Sequence, residues 1–229
     1  MRLAERPATP RLLALGFSLV GALLFVLSLG RPWWGMVMYA PQYPQGLVTI
    51  TTLQRMSGDV AEIDELNHYI GMMRLDEAAR LERTAAPYLV WAFAALAVGA
   101  ALVPKRWVAW LLRLPMLSFP VVFLADLKFW LWYAGNHLDP KAALSSTIKG
   151  FTPVLLGEGK IAQFRTQAWL EPGFWWAVAG AAAVVLAGCL LRQRRPKADG
   201  GVGSASDVAA PGGGAGGTGA APRGRSRAG

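Results

Sequence analysis

A chain of 229 residues that is 54% apolar and only 16% charged, with a positive mean hydropathy, is too apolar for an ordinary soluble domain. Its net charge of +9 does not require nucleic acid as a partner, because the basic residues flank apolar segments as they do in membrane proteins. The single cysteine, Cys189, cannot form an intramolecular disulfide and is a poor start for a cysteine-based metal or redox centre.

In chain order, four stretches approach the roughly 20 apolar residues that a helix needs to cross a bilayer: 12–30, 87–103, 114–135 and 173–191. The first follows Arg2, Arg6 and Arg11 in the manner of a secretory signal. It is too long for one, and Leu29-Gly30-Arg31-Pro32-Trp33 lacks a small-x-small cleavage pattern. The expected fold class is an all-α membrane protein with four transmembrane helices. A cytoplasmic N-terminus (1–11), a cytoplasmic loop (104–113) and a disordered cytoplasmic tail (192–229) alternate with two extracytoplasmic loops, 31–86 and 136–172, carrying a short helix and short β-strands. Of the 23 Lys and Arg, 13 fall on the side of the termini, opposed only by Glu5, Asp199 and Asp207, so both termini are expected in the cytoplasm. Trp33-Trp34 and Trp175-Trp176 mark the outer interface, Trp107 and Trp110 the inner one.

The first outer loop opens with 36–46, where Pro41, Pro44 and Gly46 exclude a regular helix and predict an extended crossing of the surface. Leu47 to Leu53 is rich in β-branched residues and predicts a strand, with 143–148 or 149–156 of the second loop as its partner. Asp59-Val60-Ala61-Glu62 has the pattern of a capping box, opening a short helix to about Ile70. Asp64, His68 and Met72 are spaced i, i+4, i+8 and share a face if that helix persists through Gly71. A second charged helix is expected over 75–83.

The only other histidine, His137, lies just above the outer end of the third span, so each outer loop carries one histidine. Imidazole and thioether ligands suit copper, and imidazole also suits haem iron. His68, Met72 and His137 are accordingly the candidate metal ligands, with Met73, Met36 or Met38 as further thioethers; Asp64 and Asp139 are the candidates to fix a histidine tautomer from the second shell of the site. Copper is the better fit and haem the lesser one. The ordinary alternative stays open, in which histidines cap helix ends and methionines fill apolar gaps. Asp126 and Lys128 are ionisable groups within the third span; Lys128 can snorkel outward, whereas Asp126 needs a donor, with Arg165 and Arg74 as candidates. No nucleophile–base order, phosphate-binding loop or paired carboxylates points to catalysis, and no catalytic residue is assigned.

Four segments carry a resemblance. They are Ala40-Pro41-Gln42-Tyr43-Pro44-x-Gly46-Leu47 and Gly58-Asp59-Val60-x-Glu62-Ile63-Asp64-x-Leu66-Asn67-His68-Tyr69-Ile70-Gly71-Met72 in the first loop, then Asn136-His137-Leu138-Asp139-Pro140-Lys141-Ala142 and Phe151-Thr152-Pro153-x-Leu155-Leu156-Gly157 in the second. Through them the chain resembles a family of small integral membrane proteins encoded beside the clade II type of nitrous oxide reductase, a periplasmic copper enzyme of denitrifying and related bacteria. The resemblance implies a bacterial inner membrane with the outer loops in the periplasm. Its implied partners are the lipid bilayer, the reductase, and the reductase's maturation and electron-transfer proteins. It assigns no reaction. The expected function is an accessory one, in maturation, copper supply or electron supply of that reductase, and the alternative is a metal-free membrane scaffold that docks partners through its periplasmic loops.

Overall fold

The computed structural model describes residues 9–143, 149–161 and 164–192. One of the two predicted strand partners, 143–148, and the predicted tail fall almost wholly outside them. Helix α1 (Thr9–Leu27) ends in a single 3-10 turn and leads into strands β1 (Trp34–Ala40), β2 (Tyr43–Thr51) and β3 (Met56–Gly58). Helices α2 (Val60–Ile70), α3 (Arg80–Gly99) and α4 (Arg106–Asn136) follow, then β4 (Gly157–Ile161), β5 (Phe164–Leu170) and α5 (Pro172–Arg192).

The expected all-α class is therefore corrected: the loops 31–86 and 136–172 together supply one five-stranded antiparallel sheet, ordered β3-β2-β1-β5-β4. Residues 36–46 are a hairpin rather than a simple surface crossing, with Pro41 and Gln42 at the turn and Ala40 opposite Tyr43. The central strand, β1, pairs with β2 on one side and with β5 on the other, Trp34 standing opposite both Thr51 and Leu170. Trp34, Gly35, Met36 and Val37 are all buried, so β1 reads in sequence as an apolar run instead of as an alternating strand.

The expectation of four transmembrane helices is corrected as well. Three helices are long and apolar enough to cross a membrane: Arg11–Gly30, Arg106–Asn136 and Pro172–Leu191. Helix α3 differs because it starts in charged sequence, Arg80-Leu81-Glu82-Arg83, and its regular structure stops at Gly99. The 13 residues from Pro87 to Gly99 span about 20 Å, against about 30 Å of hydrocarbon. The predicted helix over 75–83 exists only as its last residues, the start of α3.

α1 packs against α5 and α3, α3 against α4, and α4 against α5. At the α1–α5 crossing, a Cβ on Gly21 would lie 2.6 Å from the Gly180 carbonyl oxygen, so only glycine lets the backbones come this close. Where the bundle meets the sheet, Trp33 is wholly buried. Phe123, Phe119 and Phe174 surround its ring at 4.9, 5.8 and 6.0 Å, each edge-on, and its indole N–H donates to the Ser28 carbonyl at 3.0 Å. The sheet's inner face, with Trp34, Met36 and Ala168, rests on Leu127 and Leu131 of α4. At 31 residues α4 is about 46 Å long, more than the roughly 30 Å of a bilayer core, and its C-terminal end supports the sheet. The chain connectivity puts the start of α1, the α3–α4 connection and the end of α5 at the end of the bundle away from the sheet.

Candidate functional site

The two segments that carry the histidines are folded against one another. In the first, Asp59 precedes α2 but does not cap it as the capping-box pattern predicts. Its Oδ2 instead accepts the Val48 N–H at 2.8 Å, which ties the helix start to the edge of β2. α2 then buries Ile63, Asn67 and Ile70 and leaves Glu62, Glu65, His68 and Tyr69 exposed. It stops at Gly71, which adopts φ +82°, with the Met72 N–H donating to the Asn67 carbonyl at 2.9 Å. Because the helix ends there, Met72 leaves the face shared by Asp64 and His68.

Asp64 fastens the following turn back onto α2. Its Oδ1 accepts the Leu75 N–H at 2.8 Å, and its Oδ2 lies 3.8 Å from Arg74 Nε, which also pairs with Asp76 at 3.1 Å. The result is an open groove of about 380 Å³ lined by Ala61, Asp64, Glu65, His68, Tyr69 and Arg74. His68 projects into it with the Tyr69 ring edge-on at 6.2 Å.

His137 terminates α4. Its backbone N–H donates to the Tyr133 carbonyl at 3.0 Å, and its Nδ1 lies 3.1 Å from the same oxygen. A carbonyl only accepts, so Nδ1 is the donor in this contact and Nε2 takes no part in it. The imidazole stacks on Tyr133 at 4.1 Å and 19° and meets the Trp132 edge at 5.7 Å. The Asp139 carboxylate accepts the Lys141 N–H at 2.9 Å, closing its own turn.

A backbone clasp joins the two segments: the Asp139 N–H donates to the Gly71 carbonyl at 2.8 Å. A Cβ on Gly71 would lie 2.7 Å from the Asp139 carbonyl oxygen and 2.8 Å from its nitrogen, and the left-handed backbone there also favours glycine. A second clasp lies one turn back along α4. The Phe151 N–H donates to the Gly135 carbonyl at 3.0 Å, while Asn136 Nδ2 reaches the Trp132 carbonyl at 2.9 Å, the Phe151 carbonyl at 3.0 Å and Thr152 Oγ1 at 3.3 Å. A Cβ on Gly135 would lie 2.0 Å from the Phe151 carbonyl oxygen. Three of the four segments that carry the resemblance meet in these clasps.

Asp64 accepts from a backbone N–H of the turn that follows α2, and Asp139 from one of its own turn. Among the described residues, no three His, Cys, Asp or Glu converge as a metal-binding group. Asp126 is half-buried beside the Trp130 indole and within electrostatic reach of Glu82, and Lys128 is exposed. The two donors expected for Asp126 pair elsewhere, Arg74 as described and Arg165 with Glu158 at 3.7 Å. Sequence reasoning missed Tyr133 and Gly135. Their spacing of four and two residues before His137 was visible, but only the fold shows that they hold the ring and the clasp.

The chain matches no model of a known protein family, and no curated protein matches it significantly. The helices long and apolar enough to cross a membrane define its class as far as the fold alone does.

Proposed function

We propose that the chain is an accessory protein of a bacterial inner membrane whose sheet-and-helix head faces the periplasm and serves a nitrous oxide reductase there, in maturation, copper supply or electron supply. The observation that carries this reading is the Gly71–Asp139 clasp, which draws together the segments that bear the two histidines. The resemblance in those same segments suggests the partner. The exposed cations Arg11, Lys105 and Arg106, all at the end of the bundle away from the head, favour this orientation.

In this reading His68, Met72 and His137 are the donors that receive and pass on Cu(I), although Met72 lies beyond the end of α2 and off the face that carries His68. Soft thioether and imidazole donors suit Cu(I), and exposed ligands suit a site that must release its metal. A second reading, a metal-free scaffold, is favoured by the hairpin tip, where Pro41, Gln42, Pro44 and Gln45 are all exposed next to Tyr39.

Elemental copper and iron content of the detergent-purified protein after Cu(I) loading tests the first reading, with wild type compared to His68→Ala and His137→Ala. Near-stoichiometric copper that is lost in both variants supports a shared transfer site. Copper absent from all three rejects the supply role and leaves the scaffold, for which retention of the reductase on immobilised protein is then the measurement.

A further inference from the structure

Among the described residues, the end of the bundle away from the head holds a cation without a counterion. Arg113 on α4 is only 1% exposed, and its Nε and Nη2 are buried with no hydrogen-bond partner among the described residues. Its guanidinium carbon lies 5.6 Å from the Trp110 ring centroid, an aromatic contact that satisfies none of these donors. Arginine stays charged in proteins, and a buried charge left unpaired is costly. The surrounding helices offer no carboxylate: residues 9–27, 87–125 and 172–192 contain neither Asp nor Glu.

A second orphaned group lies at the same level. Ser18 Oγ on α1 is fully buried and also unpartnered among the described residues. Gly180 on α5 faces both Gly21 and Met116, a Cβ there lying 2.7 Å from the Gly21 carbonyl oxygen and 3.3 Å from Met116 Cε. Ser18 and Arg113 each sit one turn beyond those two residues, toward the level where Trp110 packs on Gly188.

We propose that Arg113 forms a binding site for the headgroup phosphate of an anionic phospholipid in the leaflet away from the head, with Ser18 as a second donor. The planar guanidinium matches two phosphate oxygens at once, and Nε with Nη2 is one of its two-donor edges. Arg113 is the eighth residue of α4, about 10 Å from the helix start, and because its Nε and Nη2 are buried the headgroup must part the helices to reach them. Exposed Lys105 and Arg106 at the helix start add attraction for an anionic lipid, while exposed Leu111 and Leu114 offer apolar surface for its chains.

The test measures phosphorus per chain after exhaustive detergent exchange, and then thermal unfolding of delipidated protein with phosphatidylglycerol, phosphatidylcholine or inorganic phosphate added. About one tightly held phosphorus per chain and stabilisation by phosphatidylglycerol alone are expected. Arg113→Gln weakens phosphatidylglycerol binding about tenfold or more, since charged hydrogen bonds are lost, whereas Arg165→Gln, an exposed arginine on the sheet, retains it. Arg113→Lys, which keeps the charge and loses the paired donors, covers the case in which Arg113→Gln fails to fold, and it too binds more weakly. Equal phosphorus in wild type and Arg113→Lys, or none in wild type together with no lipid-dependent stabilisation, overturns the proposal. Stabilisation by inorganic phosphate as strong as that by the lipid replaces the lipid with a free anion and overturns it equally. Copper loading of the head is a separate readout, so failure of either proposal is distinguishable.

Discussion

The bundle and the head are held together by different means. In the bundle, helices approach through small residues such as Gly21 and Gly180 and through interlocked rings around Phe119. In the head, strand ladders and polar clasps do the joining, and every ion pair among the described residues lies there. The difference teaches where each region's information resides. Helix packing in an apolar setting follows from local hydropathy, whereas the head depends on pairings across the chain, such as Trp34 with Leu170. Damage to the bundle should therefore act globally and damage to the head locally.

The largest effect that bears on this contrast is expected where the regions join. Trp33→Ala removes a wholly buried indole ringed by three phenylalanines, and a loss of about 3–5 kcal/mol is expected, with both regions unfolding together. Coincident loss of tryptophan fluorescence and of helical circular dichroism on heating checks it. If the helices outlast the head in this variant, Trp33 does not couple them.

Next in size is Gly71→Ala, which strains a left-handed residue and drives a methyl group into Asp139. About 2–3 kcal/mol of local destabilisation is expected. Hydrogen exchange should show protection lost around 72–76 and 137–142 while the amides of α1 and α5 keep theirs. Loss of protection throughout the bundle would contradict the separation of the two regions.

These contrasts also explain how far the sequence was legible. Apolar runs marked three membrane-competent helices because a helix satisfies its own backbone and needs no distant partner. The same signal overreached at α3, where hydropathy does not reveal that regular structure ends at Gly99. The sheet was half visible: β2 shows its β-branched residues, but β1 is buried on both faces and its neighbour β5 is more than a hundred residues away. The histidine segments stood out individually. Their meeting did not, because it runs through the backbone of Gly71 and Asp139, which no side-chain pattern encodes.

A smaller effect sharpens the account of the clasp. Asp64→Ala removes the acceptor for the Leu75 N–H, and about 1 kcal/mol is expected, most of it from that bond. Arg74 is 65% exposed, so its pairing with Asp64 at 3.8 Å contributes little. Asp64→Asn keeps an oxygen acceptor and should restore most of the loss in a denaturant titration. Failure of Asn to restore it would assign the energy to the charge instead.

The smallest expected effect lies at the sheet's far edge. Arg165 and Glu158 meet diagonally across β5 and β4 at 3.7 Å, but their side chains are 72% and 71% exposed. Water and salt screen such a pair, and holding two long side chains in one geometry costs entropy, so Arg165→Gln should change stability by less than about 0.5 kcal/mol. The midpoint of thermal unfolding should then be the same for wild type and variant in low and high salt. A loss approaching that of Asp64→Ala, abolished by salt, would mean that the β4–β5 edge depends on charge. The head would then be fastened at its periphery as firmly as at its clasps, and the local character assigned to it would have to be extended to the whole sheet.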